Sequence, residues 1–142
     1  MRKHCFKRSR FTLIEVVVVI IILVTLASIA TPIYLNYVKK ANVGAATTQV
    51  KLLEDALPGY KLDIGSYPDT ATGLRALVEN VDQNEKWDGP YIKPAVPKDP
   101  WGNDYVYTSP GEHGDFDLVS YGADGQPGGT GENADITNYV EK

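Results

Sequence analysis

Cysteine is all but absent from this 142-residue chain: the single Cys5 lies within the first ten residues. No intrachain disulfide can form, so a small folded body must be stapled in some other way. Histidine is almost as scarce, with His4 and His113 the two copies. No Ser-His-Asp set, metalloprotease helix or phosphate-binding loop occurs, and Glu112-His113 reads as part of a surface turn. Basic charge is also thin where a polyanion would need it. After residue 10 the chain holds 9 of its 14 Lys/Arg but all 18 Asp/Glu, a net charge of −9. Phosphate binding needs clustered Lys and Arg, so nucleic acid is excluded as a partner.

What is present begins with a sharp asymmetry. Arg2, Lys3, Lys7, Arg8 and Arg10 crowd residues 1–10, and no acid accompanies them. An apolar run of 21 residues follows, Phe11 to Thr31, which as a helix spans about 31 Å, the thickness of a hydrocarbon core. Many of its residues are β-branched and form helices poorly in water, but a bilayer leaves the backbone little alternative. The preceding positive charge places the N-terminus in the cytoplasm and the body across the membrane. A cleaved secretory signal is the rival reading. It calls for a shorter apolar stretch that ends at a small-residue cut, whereas this chain continues in helical style.

Pro32 should kink the helix without ending it. Beyond it Val43, Ala46, Val50, Leu53 and Leu57 recur at helical spacing and form one apolar stripe, with Lys39, Lys40, Lys51, Glu54 and Asp55 mostly off it. The stripe has two possible partners, the chain's own sheet or a neighbouring helix, and the sheet is favoured. Pro58-Gly59 predicts the stop near Leu57. A second helix is expected over Thr70–Asn80, capped by Asp69 or Thr70, with Leu74, Leu77 and Val78 inward. Residues 81–102 read as loop. Strands are expected at Asp104–Thr108, Phe116–Tyr121 and Ile136–Val140, and Trp101, Tyr105 and Tyr107 should pack the sheet on the long helix.

Two places carry candidate chemistry. Glu15 is the only charged residue between Phe11 and Thr31. From position alone two readings stand: a carboxylate paired with a specific partner, or one that reaches back to water at the membrane boundary. The second place is the glycine-rich loop 122–135. Asp124 and Asp135 lie towards its two ends, and the four glycines between them let backbone carbonyls turn inward. A hard cation such as calcium takes such oxygens. The spacing is superficially that of an EF-hand, but Gln126 and Gly128 occupy ligand positions and no helices flank the loop. On spacing alone, a metal site and a plain loop both remain open.

The run Phe11-Thr12-Leu13-Ile14-Glu15, preceded by a short basic leader, resembles the start of type IV pilins and type II secretion pseudopilins. Pro32 falls where that family keeps its helix proline. The runs Pro97-Lys98-Asp99-Pro100-Trp101-Gly102-Asn103 and Ser120-Tyr121-Gly122-Ala123-Asp124-Gly125 are more specific and resemble the major pseudopilins of type II secretion systems. Pro58-Gly59 departs from the family pattern, in which the helix runs on. The resemblance implies cleavage between the positions of Arg10 and Phe11 by prepilin peptidase, methylation, and pairing of Glu15 with a neighbouring subunit's freed N-terminal amine. It also implies a calcium ion held by Asp124 and Asp135 with oxygens from Leu118 and Ser120, Asp117 being a further candidate.

The expected fold is α+β and pilin-like, a long N-terminal helix whose second half packs on a small antiparallel sheet with extended loops. The expected organisation is a leader at 1–10, a membrane and filament-core helix at 11–31, and a periplasmic globular domain at 32–142. By resemblance the chain catalyses nothing. It waits in the inner membrane and polymerises with itself, with minor pseudopilins and an assembly platform as partners, to move folded proteins across the outer membrane. A type IV pilin or minor pseudopilin is the alternative of the same fold, and a membrane-tethered periplasmic enzyme or binding domain is that of another class. Arg10 stands where the family has glycine, so cleavage before Phe11 is expected to be slow or absent unless the peptidase is permissive. N-terminal sequencing of membrane-extracted protein decides this, and a free Phe11 amine in most molecules refutes it.

Overall fold

The computed structural model describes residues 11–140; the leader, with Cys5 and Arg10, lies outside them. The chain divides into two compact units, one ending at Val38 and one beginning at Lys39. A single helix, α1 (Leu13–Ile64), runs through both. Three short strands follow, β1 (Val106–Thr108), β2 (Asp117–Ser120) and β3 (Ile136–Thr137), joined in an antiparallel sheet of that order. This is the expected α+β arrangement.

In the first unit every side chain from Phe11 to Val38 is exposed. Three hydroxyls in this stretch are satisfied within the helix itself: Thr25, Ser28 and Thr31 donate to the carbonyls of Ile22, Thr25 and Ala27 at 2.7–2.8 Å. That back-bonding gives each of the three protons a partner in an apolar solvent. Pro32 lies inside α1, which continues past it as expected.

In the second unit the helical stripe becomes core. Ala46, Val50, Leu53, Leu57 and Tyr60 are buried, and Val43 is half-buried. They face Leu74, Leu77, Tyr105, Tyr107, Phe116, Leu118 and Ile136. The sheet is therefore the stripe's partner, as favoured. Tyr107 stands opposite Leu118 in the β1–β2 register, and its ring stacks on Phe116 at 6.0 Å. The hydroxyl of Tyr105 donates to Gln49 on α1.

Three expectations need correction. Helix α1 does not stop near Leu57 but runs through Pro58-Gly59 to Ile64. Proline removes the bond its N–H would make to the Glu54 carbonyl and crowds that carbonyl with its ring, and burial of the next turn outweighs the cost. Tyr60 is buried there and meets the edge of Tyr91 at 5.7 Å, while the Tyr91 hydroxyl donates to Asp63 at 2.6 Å. Gly59 accommodates this approach, since a Cβ there would lie 3.3 Å from the Tyr91 ring.

The second helix shrinks from Thr70–Asn80 to a 3-10 turn, Gly73–Leu77. Its N-cap is Thr72, without a side-chain cap bond; Asp69 instead closes the preceding turn, accepting from the Thr72 amide at 2.7 Å. Gly73, however, has φ +60, a left-handed conformation that an α-helix cannot contain. Leu74 and Leu77 point inward as expected, and Val78 is half-buried. The strands are also shorter than expected. Asn138 explains the end of β3: its side chain accepts from the Leu118 amide at 2.8 Å and donates to the Phe116 carbonyl at 3.3 Å, replacing ladder bonds that another strand residue would make.

The packing fixes the signs of two substitutions. Leu57 has no solvent exposure, so Leu57→Ala should cost about 2–5 kcal/mol. Pro58 is exposed within a continuous helix, so Pro58→Ala should stabilise by about 1–3 kcal/mol. Denaturant unfolding of the detergent-extracted chain checks both, and a Pro58→Ala variant no more stable than the parent would contradict the second.

Candidate functional site

Glu15 opens α1 and is exposed. Its amide donates to the Thr12 hydroxyl at 3.3 Å, and its carboxylate receives the Thr12 amide at 3.5 Å. The pair is a capping box, in which two otherwise orphaned helix N–H groups are satisfied reciprocally. In the lone chain the carboxylate is thus held locally and carries no cationic partner among the described residues. Thr12 was not singled out as functional from the sequence, although threonine three residues before glutamate at the head of an apolar run is the signature of this cap. Phe11, just ahead of it, is exposed. The predicted cut lies between Phe11 and Arg10, and Arg10 falls outside the described residues.

The glycine-rich loop between β2 and β3 folds back on itself through two short 3-10 turns, Gly122–Asp124 and Gly131–Asn133. Its two ends touch. A Cβ on Gly122 (φ +64) would lie 2.6 Å from the Glu132 carbonyl oxygen, and one on Gly129 (φ +91) would lie 2.5 Å from that of Asn133. Only glycine fits either place. Asp124 accepts from the Gln126 amide at 3.2 Å, and both oxygens of Asp135 accept from the Gly128 amide at 3.0 Å.

Leu118 and Ser120 lie on β2 and are fully buried. The Leu118 carbonyl accepts from the Asn138 amide at 3.1 Å, and the Ser120 hydroxyl donates to Asp99 at 2.8 Å. Asp117 is engaged elsewhere. Its carboxylate accepts from the amides of Glu112 (2.9 Å) and His113 (3.2 Å) and meets His113 Nδ1 at 2.9 Å. His113 is exposed in a turn, as expected, and its ring also stacks on Tyr139 at 3.7 Å.

The donor chemistry of the loop suits a hard cation. Among the described residues neither Asp124 nor Asp135 has a basic partner, and no three His, Cys, Asp or Glu side chains converge. A cation held by both aspartates would need backbone oxygens to complete its shell, which calcium accepts and zinc does not.

Two other acids are drawn down by their surroundings. Burial pushes the Asp117 carboxyl up, but the hydrogen bonds from His113 and the Glu112 and His113 amides outweigh it, leaving it below the ordinary 3.8. Glu132 is lowered by the hydrogen bond from Trp101, with Lys39 adding to the effect.

The chain is similar to known proteins. The family model for type II secretion system (T2SS), protein G, matches residues 33–139. Type II secretion system core protein G of Vibrio cholerae is 49% identical over 140 residues, covering 96% of this chain and 95% of that protein. The core protein G of Pseudomonas aeruginosa is 45% identical over 138 residues, covering 94% and 96%. Among solved structures, the major pseudopilin of the type 2 secretion system of enterohaemorrhagic Escherichia coli matches with a TM-score of 0.57 and 40% identity. That match covers 70% of this chain and 87% of the other.

Asp117 yields a pH prediction. A carboxyl lowered by folding adds stability in full above its unfolded value near 4, and that stability is lost as the pH falls through the lower folded value. Urea unfolding between about pH 5 and 2 should therefore show an acid limb that Asp117→Asn flattens. An unchanged slope would mean that Asp117 does not contribute.

Proposed function

This chain belongs to the protein G family of type II secretion systems, the major pseudopilins, and from that membership we propose that it polymerises into the periplasmic filament that helps extrude folded proteins across the outer membrane. The family is structural, so the chain is not an enzyme and the tethered-enzyme reading is set aside. One observation supports polymerisation above the rest: the apolar side chains from Leu13 to Val38 are all exposed in the single subunit. Such a surface cannot remain in water. The helix is long and apolar enough to cross a membrane, and in this reading it rests in the inner membrane with its N-terminus in the cytoplasm and its body in the periplasm.

During assembly the lipid around the helix is exchanged for helices of other subunits. Hydrocarbon surrounds the side chains before and after, so the exchange carries little hydrophobic gain and specificity must come from packing and polar contacts. Glu15 then leaves its capping box to meet a cation on a neighbour, the N-terminal amine if the leader has been removed. An unpaired carboxylate among apolar helices is costly, so the pairing sets the axial register. Prepilin peptidase, methylation, minor pseudopilins and the assembly platform belong to the same reading.

The loop 122–135 is assigned to calcium, held by Asp124 and Asp135 with oxygens from Leu118 and Ser120; Asp117, engaged by His113, is the weaker member of the set. Bound calcium would tie the two ends of the loop together and do the work of the absent disulfide.

The test pairs microscopy with melting. Cells carrying the assembly machinery and the wild-type chain should yield sheared filaments, and Glu15→Ala at equal membrane abundance should yield none. A wild-type chain that stays monomeric beside the full machinery refutes polymerisation. Calcium at a hundred times its Kd should stabilise the extracted chain by about 2.7 kcal/mol over chelator, and an unmoved melting midpoint removes the metal.

A further inference from the structure

The turn Asp99–Asn103 has no role in any of the above, yet it touches the cation loop at two points and β2, at Ser120, at a third. Asp99 is buried, 4% exposed, and its carboxylate is fully engaged. It accepts from the amides of Trp101 (3.1 Å) and Asn103 (2.8 Å) and from the Ser120 hydroxyl (2.8 Å). Asn103 Nδ2 donates to the Gly122 carbonyl at 3.1 Å, two residues before Asp124. Trp101 Nε1 donates to Glu132 at 3.0 Å, three residues before Asp135. The other Glu132 oxygen meets Lys39 Nζ on α1 at 3.4 Å.

The turn itself is rigid. The Asp99 amide donates to the Asn103 carbonyl and the Gly102 amide to the Asp99 carbonyl, both at 2.9 Å. A carboxylate at 4% exposure is tolerated only when its hydrogen bonds are complete, so the turn cannot shift without losing them. It grips the loop just before each of the two predicted carboxylate ligands, and holds Ser120 at the end of β2.

We propose that the Asp99–Asn103 turn is a template that preorganises the cation loop, with Trp101, Asn103 and Glu132 as positioning residues that bind no metal themselves. The inference rests on the calcium reading above. Groups behind the ligands fix ligand geometry, and their removal weakens metal binding about 10- to 100-fold in known sites. Because Glu132 also meets Lys39, the same contact connects the state of the loop to α1.

The experiment is calcium titration by isothermal calorimetry on the full chain in detergent, with melting in chelator run in parallel. Asn103→Ala and Glu132→Ala should each weaken calcium binding about tenfold. Glu132→Gln, which keeps an acceptor for the indole while losing the charge, should stay within about threefold of wild type. If Glu132→Gln binds as poorly as Glu132→Ala, Glu132 acts through its charge and the template is wrong. Variants that melt like wild type in chelator and bind calcium equally well overturn it too. A wild-type chain that takes up no calcium sinks the calcium reading first and this inference with it, so the two failures are separable. Should Asn103→Ala fail to fold, the Ala and Gln variants at Glu132 carry the decision.

Discussion

Everything in this molecule follows from one helix whose apolar surface is covered along one stretch and bare along another. From Val43 onward the stripe is buried under the chain's own sheet, while from Leu13 to Val38 nothing among the described residues covers it. At about 25 cal/mol per Å² the bare stretch is far too costly to leave in water. It therefore needs either lipid or other subunits. Both are apolar, so the proposed passage of a subunit from one to the other involves no large change in hydrophobic energy, and polar detail would decide when and where it occurs.

The polar detail is concentrated at Glu15. In the isolated subunit the Thr12–Glu15 capping box satisfies the helix terminus without any external partner. In the proposed assembly the carboxylate gives up this hold for a full positive charge, because a charge-assisted pair in an apolar surrounding exceeds the one long amide contact it makes here. On the proposed assembly the same residue is a helix cap beforehand and a register mark afterwards.

At the other end of the chain the difficulty is the reverse: a small sheet of three short strands and a long glycine-rich loop, with no disulfide. The solution is polar. Asp99, buried and fully bonded, anchors a turn that holds the loop near both ends. The Trp87 indole and the Tyr91 hydroxyl fasten the 78–97 region to the Ala76 carbonyl and to Asp63 on α1 in the same manner. Loops so tied need few backbone ladder bonds, which is why the sheet can be so small.

The apolar run, its length, the Val43–Leu57 stripe and the order of helix before sheet were all legible in the sequence, because they depend on side-chain hydrophobicity at a fixed backbone period. Glu15 and the Asp124–Asp135 loop were legible as anomalies, a lone acid in an apolar run and glycines between acids. What only the tertiary structure decided were contests between local preference and packing. Pro58-Gly59 argued for a helix end, and the burial of Tyr60 against Tyr91 overruled it. Gly73 gave no warning that its left-handed backbone would cut a predicted helix to one turn. The contacts from Trp101 and Asn103 to residues 31 and 19 positions away were likewise invisible, since a hydrogen bond between distant residues leaves no periodic trace in the chain that makes it.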